Sequence, residues 1–432
     1  MSETGLAPRR AALRALMAVQ SGAPLDIALS QVLGDLPDAD RRLAHELAAG
    51  VLRRRTDLDA RLIPLVRHGW GSVAPALREV LRLGAYQLTA LDRVPAHAAV
   101  STAVELAREA GGEKAARFTN AILRHLGGQV APPAFVVDPG ANLAAVHSHP
   151  EWLVRRWLAR FGAEETAALL EWNNTQPSLV LQPARDDDAA LTSRWAAAGF
   201  EPSRAPYDTG WVSPLARVTE IPGFGEGAFV VQDPAHALVA RFAGAKDHLT
   251  VLDACAAPGG KSIALGRRGA RIVSADRNRE RVRRLAENLN RAGSGREWPV
   301  VADALHPPVR AADIVLLDAP CLGTGTFARH PDARWRATEE ALASRVVLQA
   351  GLLRGAAEAV RVGGWLVYAT CSLEPEENLD QVERFLSDDR RFERDPIRGF
   401  PGELTTPAGD LELLPQRHGT DGAFAARLRR KE

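Results

Sequence analysis

Apolar residues recur at helical spacing through roughly the first 128 positions of the chain. Between Ala76 and Leu91 the residues Leu77, Val80, Leu81, Gly84, Ala85, Leu88 and Leu91 share one helix face, and Gly84 lets a neighbour approach closely. The same period runs through 10–19, 42–52, 98–107 and 115–126, with Pro75 and Pro95 as punctuation. A Pro-rich break follows at Ala131-Pro132-Pro133. From Ser148 to about Arg241 helical stretches at 152–161 and 164–172 mix with short strands and turns. From Leu249 onward the pattern becomes strand, glycine-rich turn, helix, repeated, as in a parallel sheet with crossover helices. The expected strands are 249–254, 271–276, 299–301, 314–318 and 365–370, with a late strand at 424–428. The pattern predicts a multidomain chain: an all-α segment over 1–130, a small α+β connecting segment over 131–240 and an α/β segment over 241–432.

Length agrees, since 432 residues exceed one ordinary core. Hydrophobic residues at 46% and charged residues at 25% suit a globular protein. Residues 1–10 carry no signal-peptide pattern, and no apolar run reaches the roughly 18 residues of a membrane helix, so a cytoplasmic location with no membrane partner is expected. A net charge of +1 announces no nucleic-acid partner. Lysine is confined to Lys114, Lys246, Lys261 and Lys431, a bias that a GC-rich genome explains. Arg53-Arg54-Arg55 and the run from Arg427 to Lys431 leave RNA binding open. Cys255, Cys321 and Cys371 form no Cys-x-x-Cys spacing, which predicts neither a metal site nor a disulfide framework.

The first expected strand of the α/β segment runs into Asp253-Ala254-Cys255-Ala256-Ala257-Pro258-Gly259-Gly260-Lys261-Ser262. Small residues at a strand's carboxyl end let a ligand approach the backbone. The second strand ends at Asp276, 23 residues after Asp253, where a carboxylate accepts hydrogen bonds from ribose hydroxyls. The turn lacks the G-x-G-x-x-G spacing of dinucleotide sites and the first glycine of a Walker loop. A cofactor with a ribose but no pyrophosphate fits, and S-adenosylmethionine meets that description.

Two later strands end in thiols, in Asp318-Ala319-Pro320-Cys321 before Gly323-Thr324-Gly325, and in Thr370-Cys371-Ser372. Either cysteine alone reads equally well as a small buried residue. Two of them delivered to one sheet edge beside Asp318 point to chemistry. Carbon 5 of cytosine is a poor nucleophile; a thiolate added at carbon 6 makes it enamine-like and able to take a methyl group from a sulfonium. A free thiol of pKa near 8.5 is only about 3% ionised at pH 7, so the site must favour the thiolate. Asp318 is placed to hydrogen-bond or protonate the ring nitrogen.

These motifs, with Glu374-Pro375-Glu376-Glu377-Asn378, Arg329-His330-Pro331-Asp332 and Asp421-Gly422, closely resemble those of the NOL1/NOP2/Sun family of RNA 5-methylcytosine methyltransferases. The helical segment resembles a NusB-like RNA-binding domain, through 81–88, Asp92-Arg93-Val94-Pro95-Ala96-His97 and Asn120-Ala121-Ile122-Leu123-Arg124. The resemblance implies a Rossmann-like class I methyltransferase domain behind a NusB-like one, with a cytosine of 16S ribosomal RNA as target. It further implies that Cys371 is the nucleophile and that Cys321 assists release of the methylated base. Cofactor contacts would come from Cys255 through Lys261, with Asp276 on the ribose, Asp303 near the adenine and Asp318 near the methionine end. One departure from the family pattern is Leu181-Gln182-Pro183-Ala184, where the family carries Leu-Arg-Val-Asn. A tRNA cytosine methyltransferase and a non-catalytic RNA-binding or antitermination factor are the rival readings. The helical segment speaks against the first and the intact Cys321, Cys371 and Asp318 against the second. A DNA cytosine methylase fits less well, because its Pro-Cys thiol attacks and Cys371 would have no purpose.

Overall fold

The computed structural model describes residues 5–34, 36–128, 138–214 and 217–432. The Ala131-Pro132-Pro133 break lies outside them. The chain forms two compact units, one of Met1–Thr175 with Phe327–Arg336, the other of Gln176–Thr326 with Ala337–Glu432.

The first unit is helical. Helices Ala7–Gln20, Leu25–Val32, Asp38–Arg53, Arg55–Leu62, Pro75–Ala90 and Ala96–Gly127 enclose a core that includes Leu16, Leu47, Leu58, Leu81 and Leu123. Pro75 occupies the first turn of its helix and Pro95 precedes the next, where a missing N–H costs nothing. The two apolar runs at 98–107 and 115–126 lie in one helix broken at Gly111 and Gly112, the latter at φ 72°. A Cβ on Gly84 would stand 2.3 Å from Leu123 Cδ1, so the close approach is real. Helices Pro139–Val146 and Glu151–Asn173 complete the run, the second broken at Gly162 between its two predicted stretches.

Phe327–Arg336 packs within this unit. Arg334 is fully buried and donates to Ser148 O, Asn173 O and Asn174 Oδ1 at 3.1, 2.7 and 2.8 Å. Burial, with Arg53 nearby, pulls its guanidinium down to about 9. Trp335 Nε1 donates to Leu52 O at 2.8 Å, and Asp332 accepts from Arg336 and from the Leu25 amide. The basic run is also engaged: Arg53 donates to Ala328 O, while Arg55 lies over the Trp335 ring and near Glu79.

The second unit holds two sheets. Strands β1 (Val180–Pro183), β2 (Ser203–Arg204), β3 (Trp211–Val212) and β4 (Phe229–Val231) form a small antiparallel sheet in the order β2-β3-β1-β4, with helix Asp188–Ala197. The main sheet contains β5 (Thr250–Asp253), β6 (Arg271–Asp276), β7 (Glu297–Val301), β8 (Ala312–Asp318), β9 (Val360–Thr370), β10 (Phe392–Arg394), β11 (Leu411–Leu413) and β12 (Ala423–Arg430). Its order is β7-β6-β5-β8-β9-β12-β10, with β11 beside β12. The five strands from β7 to β9 are parallel, and β12 runs against β9. Strand residues alternate between two cores. Val315, Leu317, Leu366 and Tyr368 meet helices Glu339–Glu358 and Leu379–Asp388, while Ile314, Leu316, Val367 and Ala369 meet helix Pro234–Phe242. Chain order reverses direction between β5 and β8, which opens a crevice at their carboxyl ends.

Candidate active site

The carboxyl edge of the sheet gathers the cysteines and the acidic residues singled out in the α/β segment. β5 delivers Asp253, fully buried, whose Oδ2 accepts from Ser262 Oγ at 2.7 Å. Burial pushes Asp253 up to about 7, and its Oδ1 has no hydrogen-bond partner among the described residues. The following turn contains a cis Ala257–Pro258 bond, then Gly259 at φ 111°. A Cβ on Gly259 would meet Leu285 Cδ1 at 2.8 Å, and one on Gly260 would meet Gln232 Nε2 at 2.8 Å. The small residues of this turn therefore let it lie against its neighbours as well as face a ligand. Burial raises the Cys255 thiol to about 12, helped by the negative charges of Asp318, Asp253 and Asp276. Such a thiol stays protonated and is a poor nucleophile.

β6 ends at Asp276, almost wholly buried. Its Oδ1 accepts the Asn278 amide at 3.0 Å and its Oδ2 lies 3.1 Å from Arg281. At the ends of β6 and β7 a cavity of about 540 Å³ is bounded by Arg277, Asn278, Val301, Ala302 and Asp303. Ala256, Ala257 and Pro258 lie in the turn between Asp253 and this edge.

β8 brings Asp318, whose Oδ2 is 2.6 Å from Lys261 Nζ. His236 Nδ1 is 2.9 Å from the same nitrogen. Burial opposes the Lys261 charge, but Asp318 more than compensates and the ammonium is raised above its ordinary value. Lys261, grouped in the sequence with the cofactor turn, thus has its side chain directed at Asp318.

The two thiols meet. Cys321 Sγ and Cys371 Sγ are 3.3 Å apart, within hydrogen-bond reach for sulfur. The hydrogen bond to Cys371, burial and the nearby negative groups, including Glu377, raise the Cys321 thiol well above its ordinary value. Gly323 sits at φ 71°, a left-handed conformation that favours glycine, and a Cβ there would lie in ordinary contact with Cys371 Sγ at 3.8 Å. The Gly325 amide donates to Cys371 O at 3.0 Å, and the Gly422 amide to Gly325 O at 2.8 Å. A side chain on Gly325 would collide with Gly422 Cα at 2.6 Å, which explains the Asp421-Gly422 motif so far along the chain.

Sequence reasoning gave no task to Glu377, Asn378 or Gln349. Glu377 is completely buried and accepts from the Leu322 amide at 3.0 Å and from Gln349 Nε2 at 2.9 Å. Burial raises its carboxyl above the usual range, against the hydrogen bonds that favour its charge. Asn378 accepts from Thr370 Oγ1 and donates to Ser372 O at 2.8 Å. The only sequence signal of Glu377 and Asn378 was a motif quoted whole, and Gln349 stood in no motif.

A sheet of this order, with one reversed strand and acidic residues at the ends of β5, β6 and β8, is the Rossmann-like fold of a methyltransferase. Residues 242–429 match the family described as 16S rRNA methyltransferase RsmB/F, residues 6–127 the NusB family, and residues 149–209 the RsmF/B-like ferredoxin-like domain. The chain is 34% identical to the probable ribosomal RNA small subunit methyltransferase B of Synechocystis sp., covering 94% of this chain and 95% of that one. It is 32% identical to the probable counterpart of Bacillus subtilis, covering 98% of each. The solved structure of PH0851 superposes with a TM-score of 0.82 at 25% identity, over 100% of this chain and 99% of that one. The chain belongs to the RsmB/F methyltransferase family. Among the described residues no helix is long and apolar enough to cross a membrane.

Proposed function

We propose that this protein transfers a methyl group from S-adenosylmethionine to carbon 5 of a cytosine in 16S ribosomal RNA, through a covalent adduct with Cys371. The observation that carries the reading is the 3.3 Å approach of Cys321 and Cys371 at the carboxyl edge of a methyltransferase sheet. The names of the relatives support a ribosomal substrate, and the match to the NusB family over residues 6–127 supports an RNA-facing helical segment.

The residues present suit the cofactor. The cavity beside Asp303 has room for a purine edge, and Asp276 retains acceptor capacity at its side for ribose hydroxyls. Cys255, Ala256, Ala257, Pro258, Gly259, Gly260 and Lys261 would border the cofactor, with Asp318 near its methionine end. When bound, S-adenosylmethionine supplies an electrophilic methyl on a sulfonium.

The chain's own residues divide the work. Cys321, whose thiol is held well above its ordinary value beside Cys371, keeps its proton, and Cys371 attacks carbon 6 as the thiolate. Asp318, held by Lys261, carries a proton to the ring nitrogen as attack pushes electron density into the ring, then accepts a hydrogen bond from that N–H. The proton returns by the same route when the ring regains its aromaticity. Once Cys371 is bonded to carbon, its charge is gone and the strongest hold on the Cys321 proton goes with it. Cys321 then loses that proton to solvent and takes the one on carbon 5. The carbon–sulfur bond breaks and Cys371 leaves as a thiolate, so each cycle releases one proton. Bisulfite sequencing of 16S ribosomal RNA from cells with and without the gene tests the assignment. Loss of one methylated cytosine supports it; an unchanged pattern in that RNA refutes it.

A further inference from the structure

The loops that carry the two thiols are both held by one pair of adjacent residues. On the Cys321 side, Glu377 accepts the Leu322 amide with both carboxylate oxygens, at 3.0 and 3.2 Å. Gln349, fully buried, splits its amide group between Pro320 O at 3.1 Å and Glu377 Oε1 at 2.9 Å. The residues before and after Cys321 are therefore each tied to the same carboxylate. On the Cys371 side, Asn378 bonds Thr370 Oγ1 and Ser372 O, the residues flanking that cysteine. Tyr368 Oη donates to Glu377 O at 2.6 Å and ties the pair to β9.

We propose that Glu377 is a positioning residue for Cys321, and that with Asn378 it sets the spacing between the releasing thiol and the attacking one. A buried carboxylate is costly and persists where its hydrogen bonds are needed. Here three of them end on the loop of Cys321 or on the amide that holds that loop. Among the described residues, no hydrogen bond of this network ends on Asp276 or Asp303, the residues proposed for the cofactor. Glu377 thus governs the second half of the reaction, when the carbon-5 proton moves and the Cys371–carbon bond breaks. The inference rests on the release role given to Cys321 above.

The test compares four variants with the parent, each supplied with S-adenosylmethionine and substrate RNA and run on a denaturing gel. Cys321→Ala is the reference for blocked release. Glu377→Ala removes both acceptors. Gln349→Met keeps the length of the side chain and removes the donor. Glu377→Gln retains one oxygen for Leu322 and Gln349. Glu377→Ala and Gln349→Met should accumulate the RNA-linked band, with release slowed roughly ten- to hundredfold, as expected for a displaced catalytic group. Their calorimetric affinity for S-adenosylmethionine should equal the parent's, and Glu377→Gln should recover most of the release rate. Should Glu377→Ala not fold, Gln349→Met decides alone. If Cys321→Ala gives the band and neither Gln349→Met nor a folded Glu377→Ala does, the positioning role is wrong. If Cys321→Ala gives no band, the release role of Cys321 fails and the proposal falls with it.

Discussion

Lys261 Nζ and Asp318 Oδ2 form a 2.6 Å ion pair that joins the turn after β5 to the end of β8. The lysine is nearly buried and the aspartate only partly so. The pair crosses the point where strand order reverses, so it fixes the relation between the turn after β5 and the end of β8, the two places proposed for cofactor binding and for the catalytic carboxylate. Breaking such a pair leaves one charge uncompensated.

Lys261→Met should therefore lower stability by about 1–3 kcal/mol, less than a fully buried pair would cost. Asp318→Asn added to it should return part of the loss. Urea unfolding of both single variants and the double gives the coupling directly. Strict additivity would mean that the pair does not act as a unit.

Asp276 is assigned to the ribose. Asp276→Ala should weaken S-adenosylmethionine binding by about 2–4 kcal/mol, the value of two hydrogen bonds to a charged acceptor. Calorimetry on folded protein reads it, and an affinity equal to the parent's would remove the assignment.

Asp253 should leave a mark on the pH dependence of stability. Its folded value of about 7 lies above the ordinary carboxylate value of 3.8. Between about pH 4 and 7 the folded state therefore holds a proton that the unfolded state has lost. The stabilisation is complete below pH 4 and is lost as pH rises through 7. Asp253→Asn removes the titration, so its stability relative to the parent should grow between pH 5 and pH 8, by a few kcal/mol at most. Urea midpoints at the two pH values check this, and a difference that stays constant or shrinks contradicts it.

Much of the architecture was legible because apolar runs of the right length end in recognisable residues. Strand β6 falls where the sequence put it, from Arg271 to Asp276. Pro75 and Pro95 mark helix starts, and Gly111-Gly112 accounts for the break between two predicted helical runs. β10 and β11 span three residues each, too few for alternation to register. Membership of Phe327–Arg336 in the helical unit has no local signature, because its contacts join residues hundreds of positions apart. Arg53 and Arg55 illustrate the same limit: a basic run resembles a nucleic-acid patch until its partners within the unit are seen. In the candidate site, the cysteines and acids were readable from strand ends. Glu377 was not, since a carboxylate in a polar turn looks exposed until Leu322 and Gln349 fold over it.

The central claim is the division of labour between the thiols, and the protein–RNA adduct tests it. Wild type, Cys371→Ala, Cys321→Ala and the double variant are incubated with S-adenosylmethionine and substrate RNA, then resolved on a denaturing gel with and without RNase. Cys371→Ala should lose both methylation and the adduct. Cys321→Ala should still attack and methylate but release slowly, giving a slow-migrating, RNase-sensitive band that disappears in the double variant. The account is contradicted if Cys371→Ala accumulates the band and Cys321→Ala does not, because the roles would then be reversed.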